Sequence, residues 1–553
     1  MRGNMTTLTL TPTTNTVLPF KTSGFSDLTN ALEYAAKGNT GFNFYNANAQ
    51  LEQVLSYTDL LDQSLRVSHC LLLLGLKRGD HLPVIAETRA EFLILFYACQ
   101  YLGIIICPCP MFASVAERST FATKTLHMAS LIKAKFLIAS NGLINAFFTE
   151  NTNTLKCISF EQLTQEAQHS KLLTDSTQFS PIKENTVAFM QFSSGSTSKP
   201  KGIRIYNHDV CEHVRIVLEE VMKLRAEDRS LSWLPFYHNM GLIGFIIASV
   251  NGQRSVDCFS PFTFVGQPSL WLKLMSCNKT AITYAPMFAY QLAIRAFTDE
   301  LASDLDLSTL RVAGIGGDTI HLEVMKKFHH LYAPYGFEFN CFLPSYGMTE
   351  AILAISAKRA GEPVIIDHFE NKELVSCGHP LSGYQLTIKN ANPISGRSVG
   401  NICFKNNAET DTLIGNLDSD NGIIDTGDIG YLHEDNLFIL GRQKDVILIR
   451  GRNIWTEDIK TFIASNNNEL TADNIVVSSI EVEQEDRLVV MIQHNQSSTF
   501  QVIKKQLKKQ ISQQFNLSAD IVFVNELPLT PSGKIISDRF VELYTKVKDR
   551  QSK

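Results

Sequence analysis

The apolar positions of residues 57–107 follow two different periods. Leucines recur at helical spacing at Leu60, Leu61, Leu65 and residues 71–74. A polar turn at residues 77–80 follows, and then a continuous apolar run at 82–86, which is typical of a buried strand. A second apolar helical stretch ends near Gly103. Helices that alternate with fully apolar strands predict an α/β fold with parallel strands.

Two polar segments rich in Asn and Ser, residues 390–398 and 406–421, interrupt the second half of the chain. Their composition predicts loops between short strands. The clearest boundary lies at residues 441–445, where a strand-like run at 437–440 ends in a charged turn that begins with glycine. We therefore expect a large N-terminal domain at 1–441 and a small C-terminal domain at 442–553.

The C-terminal part contains an amphipathic helical pattern. Its apolar stripe consists of Phe500, Ile503, Leu507 and Ile511. Away from this stripe lie Lys504, Lys505, Lys508 and Lys509. Such lysines most often form only a solvated face. The alternative is a docking surface for an acidic carrier protein.

Length and composition limit the class of protein. A chain of 553 residues with 44% apolar residues is long enough for two or more domains. Its net charge of −5 gives no sign of nucleic-acid binding. The eleven cysteines lack paired metal-ligand spacing, which favours reduced thiols in a cytoplasmic enzyme. Residues 1–16 lack the apolar core of a signal peptide, and no apolar run is long enough for a membrane span.

The chemically most informative segment is the loop at 191–202, which follows an apolar strand-like run at 187–190. Backbone N–H groups, hydroxyls and lysine ammonium groups in such a loop suit a polyphosphate. The residues that predict this role are Ser194, Gly195, Ser196, Thr197, Lys199 and Lys201. The loop is not a G-x-x-x-x-G-K-[ST] motif, because Pro200 stands five residues after Gly195. Taken alone, the loop is equally well explained as a solvated surface turn.

Five further motifs follow this loop in order. They are Trp233-Leu234-Pro235-Phe236-Tyr237-His238-Asn239, Tyr346-Gly347-Met348-Thr349-Glu350, Thr426-Gly427-Asp428-Ile429-Gly430, Gly441-Arg442-Gln443-Lys444-Asp445 and Pro531-Ser532-Gly533-Lys534. In this order and spacing the chain resembles the adenylate-forming superfamily of acyl-CoA synthetases, luciferases and peptide-synthetase adenylation domains. The likeness extends from about residue 186 to the C-terminus. Within it, residues 233–242, 374–380 and 445–453 are most similar to fatty acyl-AMP ligases.

The resemblance implies both a fold and a reaction. The fold is a large N-terminal domain of stacked β-sheets and helices, with a small, mobile α+β C-terminal domain that rotates about Asp445. The reaction is ATP-dependent activation of a carboxylic acid to an acyl-adenylate, with release of pyrophosphate. The segment around His238 offers no Asp of the kind that pairs with an α-amino group, so a fatty acid fits better than an amino acid. Candidates for the acyl tunnel are Met240, Leu242, Ile243 and Phe245, although core packing is the commoner role of such residues.

The catalytic roles follow from the same resemblance. In this reaction a carboxylate approaches an anionic phosphate, so positioning and electrostatics carry most of the catalysis. By resemblance, Lys534 bridges the carboxylate and the α-phosphate, and Thr349 lies beside the α-phosphate. Glu350 is the expected ligand of Mg²⁺, which prefers hard oxygen ligands and bridges phosphate oxygens. His238 occupies the position of an aromatic gate between the nucleotide and the acyl pocket.

Complementary side chains predict how adenosine is bound. The Tyr346 ring offers a face for adenine, while Gly317 and Asp318 line the base. Asp428 accepts hydrogen bonds from the ribose hydroxyls, and Arg442 assists from the hinge. Without the family pattern, Asp428 would be interpreted as a turn residue in Thr-Gly-Asp-Ile-Gly.

The chain also departs from the pattern of the fatty acyl-AMP ligases. Asn239 stands where they usually have Asp, Thr349 where they have Ala, and Trp455-Thr456 where they have Tyr-Pro. The segment between Glu350 and Ser376 is shorter than the ligase-specific insertion, which in that family is thought to hinder the use of CoA.

Three hypotheses therefore remain. The first is a fatty acyl-AMP ligase that passes its acyl group to the thiol of an acyl carrier protein. The second is a fatty acyl-CoA ligase, which Thr349 and the short segment favour. The third is a non-catalytic nucleotide-binding homologue. Against it stand Glu350, Asp428, Arg442 and Lys534, which are all retained.

Overall fold

The computed structural model describes residues 18–112, 115–148, 155–170, 186–193, 201–370, 372–406, 411–414, 419–443, 446–449, 452–467, 470–482, 485–493, 500–515, 517–529, 535 and 537–551. The strands are β1 (Gly41–Tyr45), β2 (Leu51–Ser56), β3 (His81–Ile85), β4 (Ile105–Cys109), β5 (Phe136–Ala139), β6 (Lys156–Ser159), β7 (Val187–Ser193), β8 (Lys201–Tyr206), β9 (Ser230–Ser232), β10 (Val256–Cys258), β11 (Ile282–Ala285), β12 (Val312–Ile315), β13 (Phe342–Tyr346), β14 (Ser356–Ala357), β15 (Ile366–Phe369), β16 (Lys372–Val375), β17 (His379–Pro380), β18 (Tyr384–Ile394), β19 (Arg397–Asn406), β20 (Asp411–Ile414), β21 (Ser419–Asp420), β22 (Ile423–His433), β23 (Asn436–Arg442), β24 (Val446–Ile449), β25 (Arg452–Trp455), β26 (Ile475–Val482), β27 (Glu485–Gln493) and β28 (Ala519–Val524).

The α-helices are α1 (Leu28–Ala35), α2 (Tyr57–Leu73), α3 (Ala90–Leu102), α4 (Val115–Leu131), α5 (Asn141–Phe147), α6 (Phe160–His169), α7 (Asn207–Ile216), α8 (Asn239–Gly241), α9 (Ala248–Gly252), α10 (Pro261–Gly266), α11 (Ser269–Cys277), α12 (Met287–Arg295), α13 (Asp299–Ala302), α14 (Leu322–Tyr332), α15 (Thr456–Ser465), α16 (Phe500–Phe515) and α17 (Ser537–Gln551). Two π-helical segments cover Val217–Val221 and Leu242–Ile247. Short 3₁₀ turns lie at Ala333–Tyr335, Phe339–Cys341, Thr349–Ala351 and Ala472–Asn474.

The alternation seen at residues 57–107 gives the predicted elements. Helix α2 begins after Ser56, whose hydroxyl accepts a hydrogen bond from the Asp59 N–H at 3.0 Å and so caps the first turn. Strand β3 follows the polar turn, and α3 ends at Gly103, which adopts a left-handed backbone conformation. Strand β3 pairs with β4 and β5 in parallel. The predicted α/β fold with parallel strands is confirmed.

Two large sheets dominate the described part of the chain. One has nine strands in the order β17-β14-β13-β12-β11-β9-β10-β1-β2, and the other has seven in the order β20-β8-β7-β4-β3-β5-β6. Helix α3 packs between them: Phe96 contacts Phe189 of β7, and Phe92 contacts Phe236, which follows β9, each with ring centroids 5.8 Å apart. Helices that cover sheet faces in this way bury nearly continuous apolar strands.

A third sheet of five strands is formed by β18, β19, β22, β21 and β23. Within it, the predicted loop at 390–398 is wrong, because most of this segment belongs to the long hairpin of β18 and β19. The turn is confined to Ser395 and Gly396, which both have positive φ, as a tight hairpin turn requires. Pairing between the two strands satisfies the backbone of this polar segment, and composition alone cannot indicate that pairing.

The last part of the chain forms a smaller sheet in the order β26-β27-β28, with a separate apolar core on each face. Leu507 and Ile511 of α16 are completely buried against one face, and Ile503 packs beside them, so the predicted apolar stripe is confirmed for these three residues. The side chain of the fourth, Phe500, lies outside the described residues. Phe540 and Tyr544 of α17 pack against the other face. The boundary between domains 1–441 and 442–553 stays a prediction.

None of the helices in the described ranges combines the length and the apolar character that a bilayer-spanning segment needs.

Leu71 and Leu73 of α2 provide a matched test of the predicted packing. Leu71 is completely buried, whereas Leu73 is 74% exposed. We expect Leu71→Ala to lower the free energy of unfolding by about 2–5 kcal/mol, because it removes buried methyl groups and leaves a cavity. Leu73→Ala should change it by less than about 0.5 kcal/mol. Urea unfolding of both variants measures the difference, and equal midpoints would contradict the packing of α2.

Candidate active site

A cleft of about 3190 Å³ lies at the carboxyl ends of the parallel strands β9, β12 and β13. Each strand is followed by a loop that lines the cleft. Crevices at the carboxyl ends of parallel strands are the usual ligand sites of α/β proteins. Among the residues that line it are His238, Gly317, Asp318, Tyr346, Thr349, Glu350, Asp428 and Arg442. The structure therefore brings eight of the predicted site residues to one cleft.

Tyr346, Asp428 and Arg442 form a connected polar cluster on one wall. The Tyr346 hydroxyl donates to Asp428 Oδ2 at 2.5 Å, and Arg442 Nε lies 3.4 Å from Asp428 Oδ1. Asp428 and Arg442 are direct partners in the β22–β23 register, so the sheet itself fixes their distance. Burial, and then the charge of Asp428, raise the pKa of Tyr346 well above 10. The phenol thus stays protonated and remains a hydrogen-bond donor at physiological pH.

The opposite wall is formed by the segment that follows β9 and by the loop that follows β12. His238 precedes the short helix α8, and its Nδ1 accepts a hydrogen bond from the Met240 N–H at 3.3 Å. The Met240 thioether packs over Gly316 and Gly317 of the β12 loop. Desolvation by the surrounding protein lowers the pKa of His238 below 6.5, while the residue as a whole is exposed. A neutral imidazole therefore lies where the gate was predicted.

The turn that carries Thr349 and Glu350 follows β13 directly. Glu350 lines the cleft, and no described residue contacts its carboxylate through a hydrogen bond or an ion pair. An uncommitted carboxylate of this kind is suited to Mg²⁺, which usually takes one or two protein carboxylates and completes its shell with phosphate oxygens and water. The described residues contain no cluster of three or more His, Cys, Asp or Glu side chains able to hold a metal. The residues present fit the predicted ion.

The chain then folds back tightly on this turn. Gly347 has room for no side chain, because a Cβ atom there would lie 1.8 Å from the Leu353 carbonyl oxygen. The Ile355 N–H donates to the Tyr346 carbonyl oxygen at 2.8 Å. We call residues 351–355 the return strap. The strap therefore contacts the Tyr346-Gly347 backbone through the Ile355 hydrogen bond and the close approach of Leu353.

Eight residues of the cleft lining form what we call the apolar arm. They are Val217, Val221, Met222, Gly244, Phe245, Leu353, Ala354 and Ala357. Val217, Val221, Met222 and Ala357 belong to one apolar cluster, and Ala354 packs against that cluster. Both π-helical segments contribute to this lining, and π-helical turns are frequent at functional sites. Of the four predicted tunnel residues, Met240 and Phe245 line the cleft, while Leu242 and Ile243 are completely buried in the main core.

The predicted hinge region contains a close contact at Gly441. This residue has φ of +149°, and a Cβ atom there would lie 2.7 Å from the Trp455 ring. A bulkier residue would therefore displace the Trp455 side chain. Nearby, Lys372 Nζ of β16 lies 2.5 Å from Asp458 Oδ1 of α15. An ion pair thus joins the β15–β16 hairpin to helix α15.

Several predicted site residues lie outside the described residues. These are Ser194, Gly195, Ser196, Thr197, Lys199 and Lys534, together with the pivot Asp445. Lys201 is the first residue of β8 and pairs with Ser193, but its side chain is not among the described parts of the structure. The predicted strand before the phosphate loop is confirmed, because β7 covers Val187–Ser193. The roles of the loop and of Lys534 remain predictions.

Two further residues, His213 and Tyr384, contact the return strap, and no sequence motif indicates them. They lie 171 residues apart in sequence, and their side chains are 3.0 Å apart. Neither belongs to a motif that the sequence analysis identified, so no local signal could have indicated the pair.

Comparisons with known proteins agree with this site. The chain matches the model of the AMP-binding enzyme family over residues 33–410. It therefore belongs to this family, and the predicted membership of the adenylate-forming enzymes is confirmed. Enzymes of this class are ligases that use ATP.

Individual relatives extend over nearly the whole chain. A Caulobacter vibrioides protein named an acyl-CoA synthetase is 30% identical over 551 residues, which cover 94% of this chain and 95% of that protein. JamA of Moorena producens, a medium-chain-fatty-acid–[acyl-carrier-protein] ligase, is 26% identical, with 92% and 94% covered. A solved structure from a study of fatty acyl-adenylate ligases of E. coli and L. pneumophila superposes with a TM-score of 0.86. It is 31% identical and covers 96% of this chain and 100% of that chain, which confirms the predicted likeness to fatty acyl-AMP ligases.

The Asp428 cluster predicts a specific loss of nucleotide affinity. We expect Asp428→Asn to weaken ATP binding about 10- to 100-fold, because a hydrogen bond to a charged group contributes about 1.5–3 kcal/mol. Asp435→Asn is the matched control, since Asp435 is exposed in the turn at the far end of the same strand pair. Titration calorimetry measures both affinities. Unchanged affinity of the Asp428 variant would remove the residue from the nucleotide site.

Proposed function

We propose that the protein activates a fatty acid with ATP to an acyl-adenylate and then passes the acyl group to the thiol of an acyl carrier protein. One observation supports this proposal above the others: the Tyr346–Asp428–Arg442 cluster and the apolar arm open into the same cleft. A polar end suits the nucleotide, and an apolar arm suits an alkyl chain. The two reacting groups would then meet between them.

The chemistry assigns a task to each wall. A carboxylate oxygen attacks the α-phosphorus of ATP, and the bond to the leaving pyrophosphate breaks. Asp428 accepts hydrogen bonds from the ribose hydroxyls, and Tyr346 both orients Asp428 and offers its ring to adenine. Gly317 and Asp318 line the base, while Thr349 lies beside the α-phosphate. Glu350 holds Mg²⁺, which when bound neutralises charge on the phosphate oxygens.

Residues outside the described part complete the proposal. The loop residues from Ser194 to Lys201 hold the leaving phosphates through N–H, hydroxyl and ammonium donors. Lys534 brings a cation to the carboxylate and the α-phosphate, where it offsets the repulsion between two anions. Asp445 is the proposed pivot between the large domain and the small one, whose rotation would separate adenylation from acyl transfer.

An acyl carrier protein is the acceptor that we favour, in agreement with the printed activity of JamA. The lysines of α16 offer a surface for such an acidic partner. Lys508 Nζ of α16 and Lys548 Nζ of α17 lie 3.6 and 3.0 Å from the carboxylate oxygens of Asp520. Lys505 and Lys509 of α16 are exposed. Complementary charge mainly accelerates and orients association. The alternative, an ordinary solvated face, predicts no effect of these lysines on acyl transfer.

A fatty acyl-CoA ligase is the second candidate. Thr349 occupies a position where fatty acyl-AMP ligases usually have Ala, and the C. vibrioides relative is named an acyl-CoA synthetase. Mass spectrometry of the products after incubation with ATP, Mg²⁺ and medium- and long-chain fatty acids, with and without CoA, separates the candidates. Acyl-adenylate under both conditions supports the ligase that serves a carrier protein. Acyl-CoA would assign the protein to the CoA-using branch, and ATP binding without any product would leave a non-catalytic homologue.

Lys534 provides the sharpest single test of the catalytic proposal. We expect Lys534→Ala to lower the rate of adenylate formation by about 10²-fold or more, because charge stabilisation at the reacting phosphate is lost. Folding should be unaffected. ATP–pyrophosphate exchange measures the rate, thermal unfolding checks the fold, and Lys509→Ala is the matched control on the exposed face of α16. Normal exchange in the Lys534 variant would remove the assignment.

A further inference from the structure

The return strap contains an unusual backbone conformation directly after the Thr349-Glu350 turn. Ile352 has φ of +67° and ψ of −64°, and the Leu353 N–H donates to the Ala351 carbonyl oxygen at 2.7 Å. These values describe a γ-turn of the rare, strained type with positive φ. Strain is greater for a β-branched residue such as isoleucine. Conformations of this kind persist only where the surrounding structure imposes them, and they concentrate at functional sites.

His213 and Tyr384 impose this conformation from behind the strap. The Ala354 N–H donates to His213 Nε2 at 3.2 Å, and the Tyr384 hydroxyl donates to the Ala351 carbonyl oxygen at 2.8 Å. The two side chains also contact each other, with His213 Nδ1 at 3.0 Å from the Tyr384 oxygen. Backbone groups on both sides of Ile352 are therefore held by one side-chain pair.

The hydrogen bonds fix the direction of every proton in this network. His213 Nε2 accepts from Ala354, so a neutral imidazole carries its proton on Nδ1 and donates it to the Tyr384 oxygen. The tyrosine in turn donates to Ala351. Burial lowers the pKa of His213 to about 3, because the imidazolium would lose its hydration, and the ring stays neutral at physiological pH. A charge change at this site is therefore not part of its role.

The strap connects the two ends of the cleft. Its Ile355 N–H holds the Tyr346 carbonyl oxygen, and its start continues the turn that carries Thr349 and Glu350. On its other side, Leu353 and Ala354 line the apolar arm. A shift of the strap would move the nucleotide end and the wall of the apolar arm together.

We propose that His213 and Tyr384 are positioning residues, which hold the return strap so that Tyr346, Thr349 and Glu350 keep the geometry needed to bind ATP and form the adenylate. The inference rests on the proposed function for its catalytic part. Neither residue is among those that line the cleft. Displacements of about 1 Å at such a site can lower a rate about 10²-fold. The hydrogen bonds of His213 and Tyr384 to the strap can therefore control the rate of adenylate formation in the cleft.

Tyr384→Phe tests the proposal with a matched control. Both Tyr384 and Tyr332 donate a hydrogen bond from a largely buried phenol to a backbone carbonyl at 2.8 Å, but Tyr332 contacts Ala293 on α12. We expect both phenylalanine variants to lose thermal stability, Tyr384→Phe at least as much as Tyr332→Phe, because it also removes the acceptor of the His213 Nδ1 proton. Only Tyr384→Phe should lower kcat of ATP–pyrophosphate exchange, by about tenfold or more, and it should also change KM for the fatty acid, because Leu353 and Ala354 of the strap line the apolar arm. Wild-type kcat in Tyr384→Phe would overturn the proposal.

His213 adds a test by conservative rescue. His213→Leu removes both hydrogen bonds, whereas the amide of His213→Gln can accept from Ala354 or donate to Tyr384. We expect His213→Leu to lose about tenfold or more in kcat, and His213→Gln to recover part of it. Equal rates in these two variants, at equal folded fractions, would show that only packing matters and would overturn the positioning role.

Direct ATP binding separates failure of this inference from failure of the proposed function. Calorimetry on the wild type, Tyr384→Phe and Tyr332→Phe requires no acid substrate. We expect only Tyr384→Phe to bind ATP more weakly, by about tenfold, because Tyr346 loses its support. If the wild type forms no adenylate but this pattern holds, the proposed function fails and the positioning role stands. Equal ATP affinities in all three proteins would overturn the positioning of the nucleotide end.

Discussion

The hydrogen bond between Tyr346 and Asp428 is the contact on which the cleft depends. Tyr346 ends the parallel strand β13 of the nine-stranded sheet, and Asp428 belongs to β22 of the five-stranded sheet. Separate sheets meet at this point through two polar side chains. Because its raised pKa keeps the phenol protonated, Tyr346 can serve as a permanent donor to the carboxylate. The proposed ribose site is thereby preorganised before ATP arrives, which reduces the cost of binding.

Support for this contact comes from residues that lie behind the cleft. The return strap fixes the backbone of Tyr346, and His213 with Tyr384 fixes the strap across a strained turn at Ile352. Buried polar networks of this kind are rigid when every member is satisfied. The same strap borders the apolar arm, so the geometry of the nucleotide end and that of the acyl end share one structural element. Adenylate formation requires both ends to be correct at once.

Much of the candidate site could be predicted from sequence, because its residues belong to short segments with a local chemical meaning. Gly317, Asp318, Thr349 and Glu350 lie in turns that follow strands, whereas Tyr346 and Arg442 end strands and Asp428 lies within β22. All seven line the cleft as expected. The four candidates for the acyl tunnel divide between the two roles expected of them. Met240 and Phe245 line the cleft, whereas Leu242 and Ile243 are core residues. The pairing of β18 with β19 was not predicted, because the polar composition of this segment is typical of a loop.

The sequence by itself determined the class of enzyme and the elements that carry its motifs. Those features depend on residue type, period and spacing, which are local properties of the chain. Only the tertiary structure decided that His213 and Tyr384 meet behind the Thr349-Glu350 turn, that Tyr346 orients Asp428, and that an apolar arm joins the polar end. Such contacts unite residues as far as 171 positions apart. They arise when sheets and helices pack together, and no pattern within one segment records which distant segment it will contact.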